Sequence, residues 1–199
     1  MTDMTDTLEP SRAKRLKALT HDVHDALDKS VMEASSFDDL PGYSRFVQMQ
    51  WAFHRDIDAL YDDAGLQAVL PGLQHRRRRA LIAADLVDLG LALPQLGDDP
   101  AFAAGKEADL PTALGWLYVA EGSNMGAALL RKQAARMGLS DTHGARHLAP
   151  AEIGPAAHWR AFTAALDAVA LTDAEEARVV QGAQSAFARV QDLAHACLG

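Results

Sequence analysis

Two stretches of this 199-residue chain combine residue types that can bind and activate something. The first is Leu16-Lys17-Ala18-Leu19-Thr20-His21-Asp22-Val23-His24-Asp25-Ala26-Leu27-Asp28. At helical spacing His24 shares a face with Thr20 and Asp28, one turn to either side, and with Lys17, two turns earlier. A carboxylate one turn from a histidine can accept from one ring nitrogen, fix the tautomer and leave the other nitrogen for a metal. A lone helical histidine is more commonly a packed or surface residue. His21, one turn before His24, competes for the same role.

The second stretch is Leu117-Tyr118-Val119-Ala120-Glu121-Gly122-Ser123-Asn124-Met125-Gly126-Ala127-Ala128. Gly122 and Gly126 lie four apart, hence on one face of a helix, and without side chains they leave backbone that a planar group can approach closely. The same spacing serves close helix-on-helix packing, which is its commoner use. Tyr118, one turn before Gly122, reads either as a hydrogen-bonding group or as a wedged core tyrosine, and Trp51 and Trp116 read as packing.

The elements that must position these residues are helical. Aromatics make up only 6% of the chain, and alanine and leucine recur at spacings of three and four, so no strand is expected. The pattern predicts an all-α, single-domain helical bundle over residues 11–199 behind a flexible tail, 1–10. Helices are expected over residues 10–32, 43–64, 75–91, 112–137, 158–170 and 173–198, the last with Thr172 as N-cap and acids in its first turn. Pro41-Gly42 reads as a turn, residues 96–100 as a connector to a short helix, and Asp109-Leu110-Pro111 as a break.

Hydrophobic residues at 49% suffice for a continuous core. The single cysteine, Cys197, can form no internal bridge, which suits a reducing compartment. No signal-like apolar segment and no run of about 18 apolar residues is present, so cytoplasmic location without a membrane span is expected. A formal net charge of −8 argues against nucleic-acid binding. The basic run at residues 76–79 reads as a solvated helix face, with docking of an acidic redox partner as the alternative.

Lys17-Ala18-Leu19-Thr20-x-x-Val23-His24 resembles the start of haem oxygenases, where a lysine, a threonine and the axial histidine stand at this spacing. Tyr118-Val119-Ala120-Glu121-Gly122-Ser123-Asn124-Met125-Gly126 resembles their distal helix in its bacterial form, and Gly182-Ala183-Gln184-Ser185-Ala186-Phe187 their last helix. The three motifs stand in family order across residues 11–193. The resemblance implies the family's bundle, with haem as substrate and cofactor, opened by oxygen to biliverdin with release of iron and carbon monoxide. It makes His24 the axial ligand, Asp28 its acceptor and Lys17 a propionate partner beside Thr20 and Tyr118. Gly122 and Gly126 would press on the distal face, Ser123 and Asn124 would hold a water near bound oxygen, and Phe187 would wall the pocket. The resemblance also implies the biliverdin IXα isomer, because Lys17 stands where family members that yield it hold a propionate.

No dinucleotide-binding glycine loop is visible, so electrons are expected from an external reductase or ferredoxin. Biliverdin would then pass to a bilin-binding photoreceptor, or the reaction would serve iron recovery. Ser123 replaces an aspartate of the animal enzymes, Ala127 replaces a glycine, and a basic pair of some members falls on Trp159 and Thr163. Arg160, Arg131 and Lys132 are the candidate substitutes for that pair. A haem carrier or sensor, or a thiaminase-like or quinone-cofactor-synthesis enzyme, could use the same bundle.

Overall fold

Where the helices begin and end follows from a few capping and helix-bending residues. The computed structural model describes residues 11–34 and 39–198, without the side chains of 28, 30–34 and 198, so the expected tail at 1–10 lies outside the described residues. Among the described residues there are nine α-helices and no strand. The first expected helix is two, α1 (Arg12–Leu19) and α2 (His21–Ala34). Thr20 separates them with φ −112° and ψ 5°, and its Oγ1 donates to Leu16 O at 2.7 Å. A hydroxyl bonded to the carbonyl one turn back bends a helix.

Pro41-Gly42 is not a turn but lies in the first turn of α3 (Leu40–Ile57), where Asp39 Oδ1 accepts from Gly42 N at 2.7 Å. Proline is tolerated there because its missing N–H would have no partner in any case. Short 3-10 turns, Asp58–Asp62 and Leu73–Arg76, flank α4 (Ala64–Val69). Helix α5 (Arg79–Asp88) ends, as expected, at Gly90, whose φ of 72° lets Leu91 N reach back to Leu86 O at 2.9 Å. Residues 101–109 form a loop rather than the expected short helix. Asp109 then caps α6 (Leu110–Ser123), followed by α7 (Ala127–Arg136), α8 (Pro155–Ala168) and α9 (Asp173–Leu198). At the start of α9, Thr172 N donates to Glu175 Oε2 at 2.8 Å and Glu175 N to Thr172 Oγ1 at 3.4 Å, a reciprocal capping box.

Helix α6 is the axle of the bundle, with residues 113–121 buried throughout. It crosses α9 so closely that a Cβ on Gly115 would lie 2.2 Å from Val179 O, and one on Gly182 2.3 Å from Thr112 O. The arginine run is not simply a solvated helix face, because each of its members is bonded to the protein. Arg76 Nη1 meets the buried Glu121 Oε2 at 2.6 Å, Arg77 pairs with Asp58 and Asp62, and Arg78 donates to His147 O. Arg79 bonds Asp58 at 2.9 Å and lies over the Trp51 ring. For Arg76 the physical reason is Glu121, 2% exposed, because a carboxylate removed from water requires a cation beside it. No helix among the described residues is long and apolar enough to cross a membrane.

Candidate functional site

The bend at Thr20 sets α2 alongside α9, and between α1, α2, α3, α6 and α9 lies a cavity of about 380 Å³. Lys17, Thr20, His24, Tyr118, Gly122, Ser123 and Phe187 all line it, bringing the three sequence segments together. His24 meets Phe187 edge to face at 6.0 Å, and its side chain is 54% exposed. His21 lines the same space with a side chain 65% exposed. Among the described side chains Asp25 stands 3.6 Å from His24 Nδ1 and 3.5 Å from His21 Nε2, while the Asp28 side chain lies outside the described residues. Thr20 is buried and its hydroxyl proton is committed to Leu16 O, so it shapes the helix and presents little to the cavity.

The opposite wall differs from the expected continuous helix. After Ser123 the chain tightens, with Met125 N bonded to Gly122 O at 3.0 Å, Gly126 N to Ser123 O at 3.2 Å and Ala127 N to Asn124 O at 3.3 Å. Bonds three residues apart turn the chain faster than an α-helix, so side chains four apart no longer share a face. Gly126 therefore becomes the N-cap of α7 and Asn124 faces a different cavity, and neither lines the one that holds His24. Gly122 remains in the wall, where an added Cβ would meet only the Trp159 ring at 3.6 Å, an ordinary contact. Close helix packing demands glycine at 115 and 182, not at 122 or 126.

Ser123 Oγ donates to Ala120 O at 2.7 Å, which leaves it an acceptor toward the cavity mouth. Trp159 lines the cavity 5.5 Å from the Tyr118 ring, and Thr163 Oγ1 bonds back to Trp159 O at 3.1 Å. Arg160, Arg131 and Lys132 do not line it, and Arg131 is held by Asp141 at 2.6 Å. Lys17 is exposed at the rim, with no carboxylate paired to it among the described residues. Burial pushes the Tyr118 phenol up, so its hydroxyl stays protonated and able to donate.

The Heme oxygenase family profile matches residues 99–196. "Heme oxygenase PigA" of Pseudomonas aeruginosa is 41% identical over 196 residues, covering 94% of this chain and 96% of that protein. The chain belongs to the haem oxygenase family. The NO- and CO-bound heme oxygenase of Neisseria meningitidis superposes with a TM-score of 0.88 at 40% identity, covering 96% of this chain and 94% of that one. The heme oxygenase of Leptospira interrogans shares the fold at 16% identity, with a TM-score of 0.72 over 93% of this chain and 98% of that one. This haem oxygenase is thus an all-helical, haem-degrading enzyme. Its cavity suits a flat apolar ring with charged edge groups: the walls are Leu27, Met49, Phe53, Val119, Phe187 and Val190, imidazoles stand on one side, and Gly122 keeps side-chain volume out on the other.

Met49, Gln50 and Phe53 of α3 also line the cavity and are missed from sequence as site residues, since Met49 and Phe53 belong to the apolar stripe that marks core. Gln50 is the legible signal, a polar residue beside that stripe and one turn before His54. His54 is buried and lowered to about 3, mainly by burial and further by Arg78 and His147. Burial also lowers His147, although its Nδ1 lies 2.7 Å from Asp85 Oδ2.

Both histidines fold neutral, whereas the unfolded chain protonates them near their ordinary value. Their contribution to stability is therefore complete well above pH 6.5 and is lost as pH falls below it, down to the folded value of about 3 for His54. The slope is about 1.4 kcal/mol per pH unit for each proton the unfolded state takes up. Urea denaturation at about pH 5 is expected to give stability lower than at about pH 7.5 by at least roughly 2 kcal/mol. A flat profile between these pH values would mean that neither ring is buried neutral.

Proposed function

We propose that this haem oxygenase converts haem to biliverdin IXα, iron and carbon monoxide, using oxygen and electrons from a separate reductase or ferredoxin. The observation that carries this reading is the gathering of His24, Phe187, Gly122, Tyr118 and Lys17 around one cavity. Bound haem supplies both the iron that activates oxygen and the meso carbon that is oxidised. His24 would provide an imidazole donor from α2, which supports oxygen binding without the strong push of a thiolate. Gly122 keeps the opposing wall to backbone, and Ser123, its own proton committed to Ala120 O, can accept from a water there.

The isomer follows from how the ring is rotated in its plane. Lys17 is the cation on the cavity rim and Tyr118 the buried donor, so a propionate is best held between a charge and a hydroxyl on the α1 and α6 side. Trp159, which lines the cavity, and Thr163, which does not, supply no second cation to compete. Adding ferric haem and then reductant under air is expected to remove the Soret band and leave broad red absorption, with the IXα isomer dominant on chromatography. Lys17→Ala is expected to give a mixed or shifted isomer pattern while haem still binds. A mainly β or δ product from the wild type would sink the role given to Lys17, and a Soret band that persists with reductant and air would favour a haem carrier.

A further inference from the structure

A second cavity, about 270 Å³, lies behind the bend that follows α6, and Met125 and Trp159 line both it and the haem cavity. Most of its wall is apolar, from Leu148, Ala149 and Pro150 on one side and Ala127 and Ala128 on the other. Its polar floor is unequal in charge. Glu121 is neutralised by Arg76 at 2.6 Å, with His158 Nε2 3.4 Å from the same oxygen. Arg78, half-buried in the same floor, donates to His147 O but meets no carboxylate at ion-pair distance among the described residues. The other arginine of the lining, Arg131, is held by Asp141.

One guanidinium charge therefore faces an apolar space without a counter-ion, and burial pushes its pKa down although Glu121 pulls the other way. The cavity is also flanked by the starts of α7 and α8, neither of which has a side-chain cap, so the partial positive ends of two helices add to the same field. An apolar cavity of roughly 150 Å³ already admits benzene, so this one has room for an aromatic ring with a carboxylate attached. We propose that it is a binding site for a small organic monocarboxylate, with the carboxylate on Arg78 and the apolar body against Trp159, Met125 and Leu148. This site is separate from the haem cavity and from the reaction proposed for it.

Benzoate is the probe, titrated by calorimetry into the full chain with and without saturating haem. One-to-one binding is expected in both forms, with uncharged benzamide weaker by at least about tenfold. Arg78→Met is expected to weaken benzoate at least about tenfold and to leave benzamide unchanged. Should that variant fail to fold, Ala128→Phe serves instead: Ala128 is an exposed position on α7, outside the haem-cavity lining, where the added ring fills the pocket and should abolish benzoate binding with haem binding kept. The proposal is overturned by equal binding of benzamide, by benzoate binding that the folded variants leave intact, by absence of saturable binding, or by binding that vanishes when haem is loaded, which would place benzoate in the haem cavity.

Discussion

Replacing His24 by alanine is expected to abolish the histidine-ligated haem spectrum and to reduce turnover by more than about 100-fold, since loss of an outer partner of a ligand alone costs 10–100-fold. The fold is not at stake. The His24 side chain is 54% exposed, its ring contact to Phe187 is an edge-to-face one, and alanine is the better helix former in α2. The melting temperature of the haem-free protein is expected to stay within about 3 °C of the wild type. His21→Ala is the discriminating control, because His21 lines the same cavity and lies at the same distance from Asp25 to within 0.1 Å, 3.5 against 3.6 Å. What separates the two rings is Phe187, which packs on His24 and fixes where that imidazole stands. Optical and resonance Raman spectra of both variants, with and without added imidazole, decide it. Imidazole should restore ligation to His24→Ala, and loss of ligation in His21→Ala with retention in His24→Ala would move the ligand one turn back.

What could be read from the sequence depended on whether the information was local. The last helix is legible at its start because Thr172 and Glu175 carry the capping box in four consecutive residues. Gly90 likewise marks the end of α5 by itself, since only its left-handed backbone lets the chain turn there. The break between α1 and α2 is harder to see, because Thr20 keeps the helical spacing between Leu16 and His24 and the bend comes from where its hydroxyl goes. The same holds for the distal wall. Gly122 and Gly126 share a face only if the helix continues, and the change to three-residue bonding after Ser123, which removes Gly126 and Asn124 from the cavity, is a tertiary outcome. Arg76 and Arg78 mislead for a related reason, since their partners Glu121 and His147 stand far along the chain. Glu121 itself was the available clue, a lone carboxylate inside an otherwise apolar helix, which has to find a cation when that helix is buried.

Two glycines on one helix should then fail in opposite ways. Gly115→Ala is expected to destabilise the haem-free protein by about 3 kcal/mol or more, because the new methyl meets Val179 O at 2.2 Å and Ala183 N at 2.5 Å, and backbone in a packed helix cannot swing aside. For a chain of this size that is a fall in melting temperature of roughly 6–12 °C. Alanine's better helix propensity, about 1 kcal/mol, does not offset it. Gly122→Leu faces no such barrier, since its Cβ finds only the Trp159 ring at 3.6 Å and the rest of the side chain must extend into the cavity that Gly122 lines. Its melting temperature is expected to match or slightly exceed the wild type, while haem affinity falls by at least about 100-fold, equivalent to roughly 2.7 kcal/mol. Thermal melting and haem titration on the two variants separate packing from substrate space within a single helix. A strongly destabilised Gly122→Leu with normal haem affinity would return Gly122 to the packing role that its spacing alone also allowed, and would leave the proposed haem cavity without its backbone wall.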